Sequence, residues 1–127
     1  MKHRFASVLG ALLCVLFFVA ADPLHNSSWN VTFTSDREKE FKDVLLFKGD
    51  QLTSSAWKKK GFDSSQYDAD TRGITVLTFN AESKSDKAGS LKWQGTISVQ
   101  EISGEVVWTK KDGTEVRYAF KGTKAGS

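Results

Sequence analysis

Few residues in this chain could do chemistry. The densest group is Asp63, Tyr67, Asp68 and Asp70, three carboxyls and a phenol close enough in sequence to share general acid and base work. The stretch Asp68-Ala69-Asp70-Thr71-Arg72-Gly73 follows the opening of a calcium loop at its first, third and sixth places. It fails at the fifth, Arg72, and at the twelfth, where Phe79 replaces the bidentate glutamate that such a loop needs. A solvated turn before a strand at Ile74 explains the same residues more simply, because Asp and Gly are ordinary turn formers. His25 is the one histidine after residue 21, so no His-based triad and no His-rich metal site can be built. The expectation is a protein that is not an enzyme, with no metal and no cofactor.

Trp57 followed by Lys58-Lys59-Lys60 has the chemistry to touch an anionic membrane surface or polysaccharide, since an interfacial indole and adjacent cations act together. A charged loop tip is the plainer reading. Asn26-Ser27-Ser28 and Asn30-Val31-Thr32 are formal glycosylation sequons, with meaning only on a eukaryotic secretory route.

What must position these residues is set by the two parts of the chain. Lys2, His3 and Arg4 precede an uncharged apolar run from Phe5 to Ala21 that ends Val19-Ala20-Ala21 before Asp22. Basic, apolar, then small residues is the order of a signal peptide, so residues 1–21 are expected to be cleaved on the way to a secreted or periplasmic location, leaving no transmembrane anchor in the mature form. Cys14 lies inside the apolar run behind Leu12-Leu13, which does not suit lipid attachment. Cleavage removes that only cysteine and leaves sixteen basic residues against fifteen acidic ones. A charge so balanced has no footprint for nucleic acid, and a chain with no disulfide must draw its stability from one buried core.

The mature chain reads as strands throughout. Residues 22–28 are expected to be a flexible lead-in, residues 29–124 a single β domain and 125–127 a tail. Trp29, Val31 and Phe33 alternate with polar residues and share one face of a first strand. A charged connection, Ser35 to Lys42, leads to a strand over Asp43 to Lys48, and Lys48-Gly49-Asp50 turns it into a short strand over Leu52 to Ser55. From Leu91 to Gln100 every odd position is apolar or glycine and every even one polar, the pattern of a strand with one dry face. Glu101 to Gly104 is expected to turn, Glu105 to Lys110 to return with Val106 and Trp108 inward, and Lys111-Asp112-Gly113 to reverse into Glu115 to Gly122, with Val116, Tyr118 and Phe120 inward. Ile74 to Glu82 reads as a strand with Leu77, Phe79 and Ala81 inward, followed by a charged loop to Ala88. Ala56 to Gly73 is irregular, a long loop with an embedded strand, or a lid. The fold class is therefore all-β: an antiparallel up-and-down meander of 7–8 strands, as a barrel or a strongly bent half-barrel.

With an early tryptophan on its first strand and a late meander, the chain resembles the lipocalin-like, calycin-type β-barrels, although Ser27-Ser28 stand before Trp29 where lipocalins carry Gly-x-Trp. Phe41-Lys42-Asp43 to Phe47, Gly61-Phe62 to Tyr67, Lys92-Trp93-Gln94-Gly95 and Val107-Trp108 to Asp112-Gly113 also look like small exported proteins of bacteria. The first expectation for function is a non-catalytic interaction or envelope role. The second, which the resemblance implies, is a binder of a small apolar ligand in a shallow pocket at Gly95, walled by Trp93 or Phe120 and covered by the Trp57, Phe62 and Tyr67 segment. An extracytoplasmic enzyme with a carboxylate-based site comes third. The partner is then a small apolar ligand or an envelope component.

Overall fold

In the computed structural model, which describes residues 24–70, 72 and 75–125, eight antiparallel strands close into one up-and-down barrel. They are β1 (Ser27–Thr34), β2 (Phe41–Lys48), β3 (Gln51–Ser54), β4 (Ser65–Asp70), β5 (Val76–Ser85), β6 (Gly89–Ser98), β7 (Glu101–Thr109) and β8 (Glu115–Lys124), with one helix, α1 (Ser55–Lys59), between β3 and β4. Each strand pairs with the next, and β8 closes on β1 from Trp29↔Lys124 to Thr34↔Ala119. Alternation does the sorting: β6 runs buried and exposed in turn from Leu91 to Ser98, because a period of two puts every second side chain on the same face. The stretch read as a signal peptide lies outside the described residues.

A meander of this kind sends its connections alternately to the two ends. One end, the lid end, carries the connections 35–40, 55–64, 86–88 and 110–114. The far end carries 49–50 and 99–100, together with the end of β4, the start of β5, the start of β1 and the end of β8.

Several expectations are corrected here. Val99 does not point inward: it is 78% exposed, and Glu101 to Gly104 is not a turn but the start of β7, with Ile102 fully buried opposite Ile97. The reversal is a two-residue one at Val99-Gln100, and it sets Val99 at φ +54°, a conformation that strains a β-branched residue. The alternation of β6 conceals the reversal, since Val99 is in phase with the inward set and nothing nearby is a turn former. Ser83 to Ser85 continue β5 rather than opening a loop, and the turn is Asp86 to Ala88. The lead-in is not loose over its described part, because Leu24 is fully buried and its carbonyl accepts the Ser27 amide at 3.1 Å. Trp108 is half-buried where full burial was expected. The irregular segment resolves into α1 and β4, so Asp68 and Asp70 stand on a strand, not in a turn.

Gly95 and Gly122 are inward positions without side chains, and the space beside them is taken. A Cβ on Gly95 would lie 2.6 Å from the Phe79 ring, and one on Gly122 would lie 1.8 Å from the Asn30 carbonyl oxygen of β1. The first glycine makes room for an aromatic ring on the paired strand; the second lets β8 close on β1.

Candidate functional site

The interior is filled by a string of aromatic rings. Phe33 is its hub, with centroids at 6.2 Å from Trp57, 6.0 Å from Trp93, 6.4 Å from Tyr118 and 5.5 Å from Phe120. The first three contacts are edge-to-face and the fourth is tilted, packing that adds to area burial. Of the six residues expected to line a pocket, Trp57 meets Phe62 at 6.3 Å and Trp93 meets Phe120 at 5.8 Å. Tyr67 packs elsewhere, against Phe47 at 5.0 Å, and Phe47 in turn touches the Phe79 ring that covers Gly95. Four of the six thus meet as two pairs within the core, and Tyr67 reaches Gly95 only through Phe47 and Phe79. Trp57 Nε1, Trp93 Nε1 and Ser83 Oγ are the buried side-chain polar atoms with no hydrogen-bond partner among the described residues.

The lid is α1, and its position follows from two residues that no chemical motif singled out. Ser54 caps the helix, its Oγ accepting the Trp57 amide at 3.0 Å, as serine does at a helix start. Asp43, buried on β2, accepts from the Ser54 hydroxyl and, at 3.0 Å, from the Ala56 amide. Between them they satisfy amides that the helix itself leaves open and so fix where Trp57 enters the core. Trp57 then meets Tyr118 at 5.1 Å and Trp108 at 5.4 Å. A second strap crosses the same end: Tyr118 donates its hydroxyl to Glu38 at 2.6 Å, and burial together with Glu38 pushes the Tyr118 hydroxyl above the ordinary tyrosine range.

The carboxylates do not converge. Asp68 is exposed on the outer wall, Tyr67 points inward, and Asp63 lies exposed in the connection after α1. Asp70 is held by Arg72, which donates to it from Nη2 at 2.7 Å and from Nε at 3.0 Å. Those hydrogen bonds lower the Asp70 carboxyl to about 2, the opposite of what a general acid needs. They also place a guanidinium against one of the carboxylates that a calcium loop would use.

Outside the barrel, a groove of about 750 Å³ runs across the wall from β4 to β8. Register explains its lining. Asp68, Asn80, Gln94 and Glu105 are successive cross-strand partners, so they stand side by side in one row around the wall. Glu82, Lys92, Val107 and Arg117 form the next row, and Arg117 Nη1 reaches Glu105 at 3.2 Å between the rows. Amides, carboxylates and cations are thereby interleaved at the spacing of one strand, and a depression over Gly95 and Gly104 shares Asn80, Gln94 and Glu105 with the groove. Sequence reasoning missed this site because its members are ordinary outward residues that only register brings together.

Comparison of the chain with family models, with curated proteins and with solved structures finds no match.

Proposed function

We propose that the protein is a non-catalytic binding module, acting outside the cytoplasm, that recognises its partner with the outer wall of the barrel. The observation that carries this reading is the interior, where large rings occupy the inward positions and the space beside Gly95 holds Phe79. A barrel of about eight strands is just wide enough for its own side chains, so an apolar ligand would have to displace core residues. The likeness to lipocalin-like proteins is then one of barrel architecture alone.

The groove over β4 to β8 supports a polar, hydroxyl-rich partner, such as a saccharide chain of the cell envelope or its surroundings. Amide side chains offer donor and acceptor together, and carboxylates accept from paired hydroxyls. Asn80, Gln94, Asp68 and Glu82 supply both kinds on one concave face. The outer wall also carries Lys42, Lys92, Arg117 and Lys121, charges ill suited to a lipid-facing band. Export rests on the order of residues 1–21.

The test is titration of the mature protein's tryptophan fluorescence with fatty acids and hydrophobic dyes. No saturable binding at micromolar concentration is expected of the wild type, and Phe79→Ala, which empties space beside Gly95, should bind where the wild type does not. Saturable binding by the wild type would put the internal-ligand reading first.

A further inference from the structure

At the lid end, two lysines from different connections converge on one indole. Lys60, which follows α1, has its Nζ 5.5 Å from the Trp108 ring centroid and 5.7 Å from that of Trp57, and Lys110, beyond β7, has its Nζ 4.8 Å from Trp108. An ammonium is attracted to an indole face at such distances. Two ammoniums held against one ring also repel each other, and anionic groups bound beside them would relieve that repulsion.

The surroundings favour the anion. Trp108 is fixed in place, donating Nε1–H to the Ala88 carbonyl at 2.8 Å, and the end of α1 rests on the same hairpin, with Gly61 against Ala88 and Ser85. Lys58, Lys87 and Lys111 are exposed on the same connections, while Lys59 faces a groove with Lys42 and Lys121 on the β1, β2 and β8 side. The ion pairs among the described residues are Arg72 with Asp70 and Arg117 with Glu105, so no lysine is engaged in one. Two nearby carboxylates are committed elsewhere: Asp112 accepts the Thr114 amide at 2.9 Å within its own turn, and Glu38 accepts the Tyr118 hydroxyl. Asp36, Glu40, Asp63 and Asp86 remain at this end as exposed acids, which limits the site to the patch around Trp108.

We infer that Lys60 and Lys110, held over Trp108, form a binding site for a phosphate or sulfate ester carried on a polar chain, separate from the groove on the barrel wall. A lipid surface is the poorer fit. Trp57 is buried, and the exposed large apolar side chains, Val44, Leu46, Val76 and Val99, lie on the wall or at the far end. Among the described residues the lid end thus has no exposed large apolar side chain to insert between headgroups, Trp108 being half-buried.

The test measures binding of heparin, as a sulfated chain, to the mature protein at several salt concentrations, with inorganic sulfate and phosphate as competitors and phosphatidylglycerol vesicles as a separate arm. Saturable heparin binding is expected, with a change in tryptophan emission as the ammoniums leave the indole for the anion. Lys60→Gln combined with Lys110→Gln should weaken it about tenfold and lower the salt slope by roughly two. Lys42→Gln combined with Lys121→Gln on the wall should change it little, and thermal melts of both variants should confirm that the barrel stays folded. Heparin binding that the Lys60 and Lys110 substitutions leave intact, vesicle binding without heparin binding, or no binding in any arm would each overturn the site. Heparin binding that survives these substitutions would point instead to another face, such as the groove, whose lining the variants do not touch.

Discussion

The two halves of the barrel are built on different terms. From β5 to β8 the strands are long and fully laddered: β5 and β6 stay in register from Val76↔Ser98 to Ser85↔Gly89, and β7 and β8 from Glu101↔Thr123 to Thr109↔Glu115. Between β3 and β4 the ladder is Gln51↔Gln66 and Leu52↔Ser65 alone, and closure there depends on α1, with Trp57 driven into the core. The difference shows that hydrogen-bond register specifies β5 to β8, while the β3–β4 seam in the other half leans on a single buried side chain and its tether. Removing one residue should therefore hurt the second half more than the first.

Trp57→Ala is the strongest way to test that contrast. It deletes a fully buried indole from the short seam and should cost about 3–5 kcal/mol, read as a shift of the denaturant midpoint. Trp108→Ala, in the laddered half and only half-buried, should cost about 1–3 kcal/mol. Equal losses would mean that the seam does not rely on its lid. Next comes Asp43→Ala, which leaves the Ala56 amide and the Ser54 hydroxyl without their acceptor and should cost about 1–3 kcal/mol. Hydrogen exchange in that variant should quicken at α1 and β4 while β5 to β8 stay protected.

Much of this contrast could be read in advance and part of it could not. Leu91 to Ser98 and Val116 to Phe120 alternate without interruption, so their inward faces are set by period alone, and seven of the eight strands lie near segments that the pattern marks, while β4 lies in the stretch read as irregular. Where the reading fails, a local signal is absent or misleading. Val99 continues the alternation into a turn that contains no glycine, asparagine or proline. Trp57 sits beside three lysines and reads as surface, because nothing local says that Asp43, on a separate strand, holds its helix. The groove of Asp68, Asn80, Gln94 and Glu105 is a product of register across four strands, which no single segment carries.

Smaller effects sharpen the picture. Val99→Gly should stabilise the protein by about 1 kcal/mol by relieving a side chain held at positive φ, a gain confined to the far end; a loss would mean that the exposed valine has contacts of its own. Tyr118 gives a pH signature. Its hydroxyl titrates higher in the folded protein than in the unfolded chain, so the neutral form favours folding. That contribution is complete below the ordinary tyrosine value, about 10, and is lost as pH rises from there through the folded value. Tyr118→Phe should flatten the alkaline fall in stability, and an unchanged fall would assign it to other groups.

The central claim is a filled interior with recognition on the outside, and residue-resolved NMR of the mature protein during titration with a medium-chain fatty acid tests it most directly. The account predicts that resonances of Phe33, Trp93, Tyr118 and Phe120 stay in place up to concentrations well above micromolar. Saturable shifts at those inward residues would contradict it and show that the barrel opens to hold a ligand.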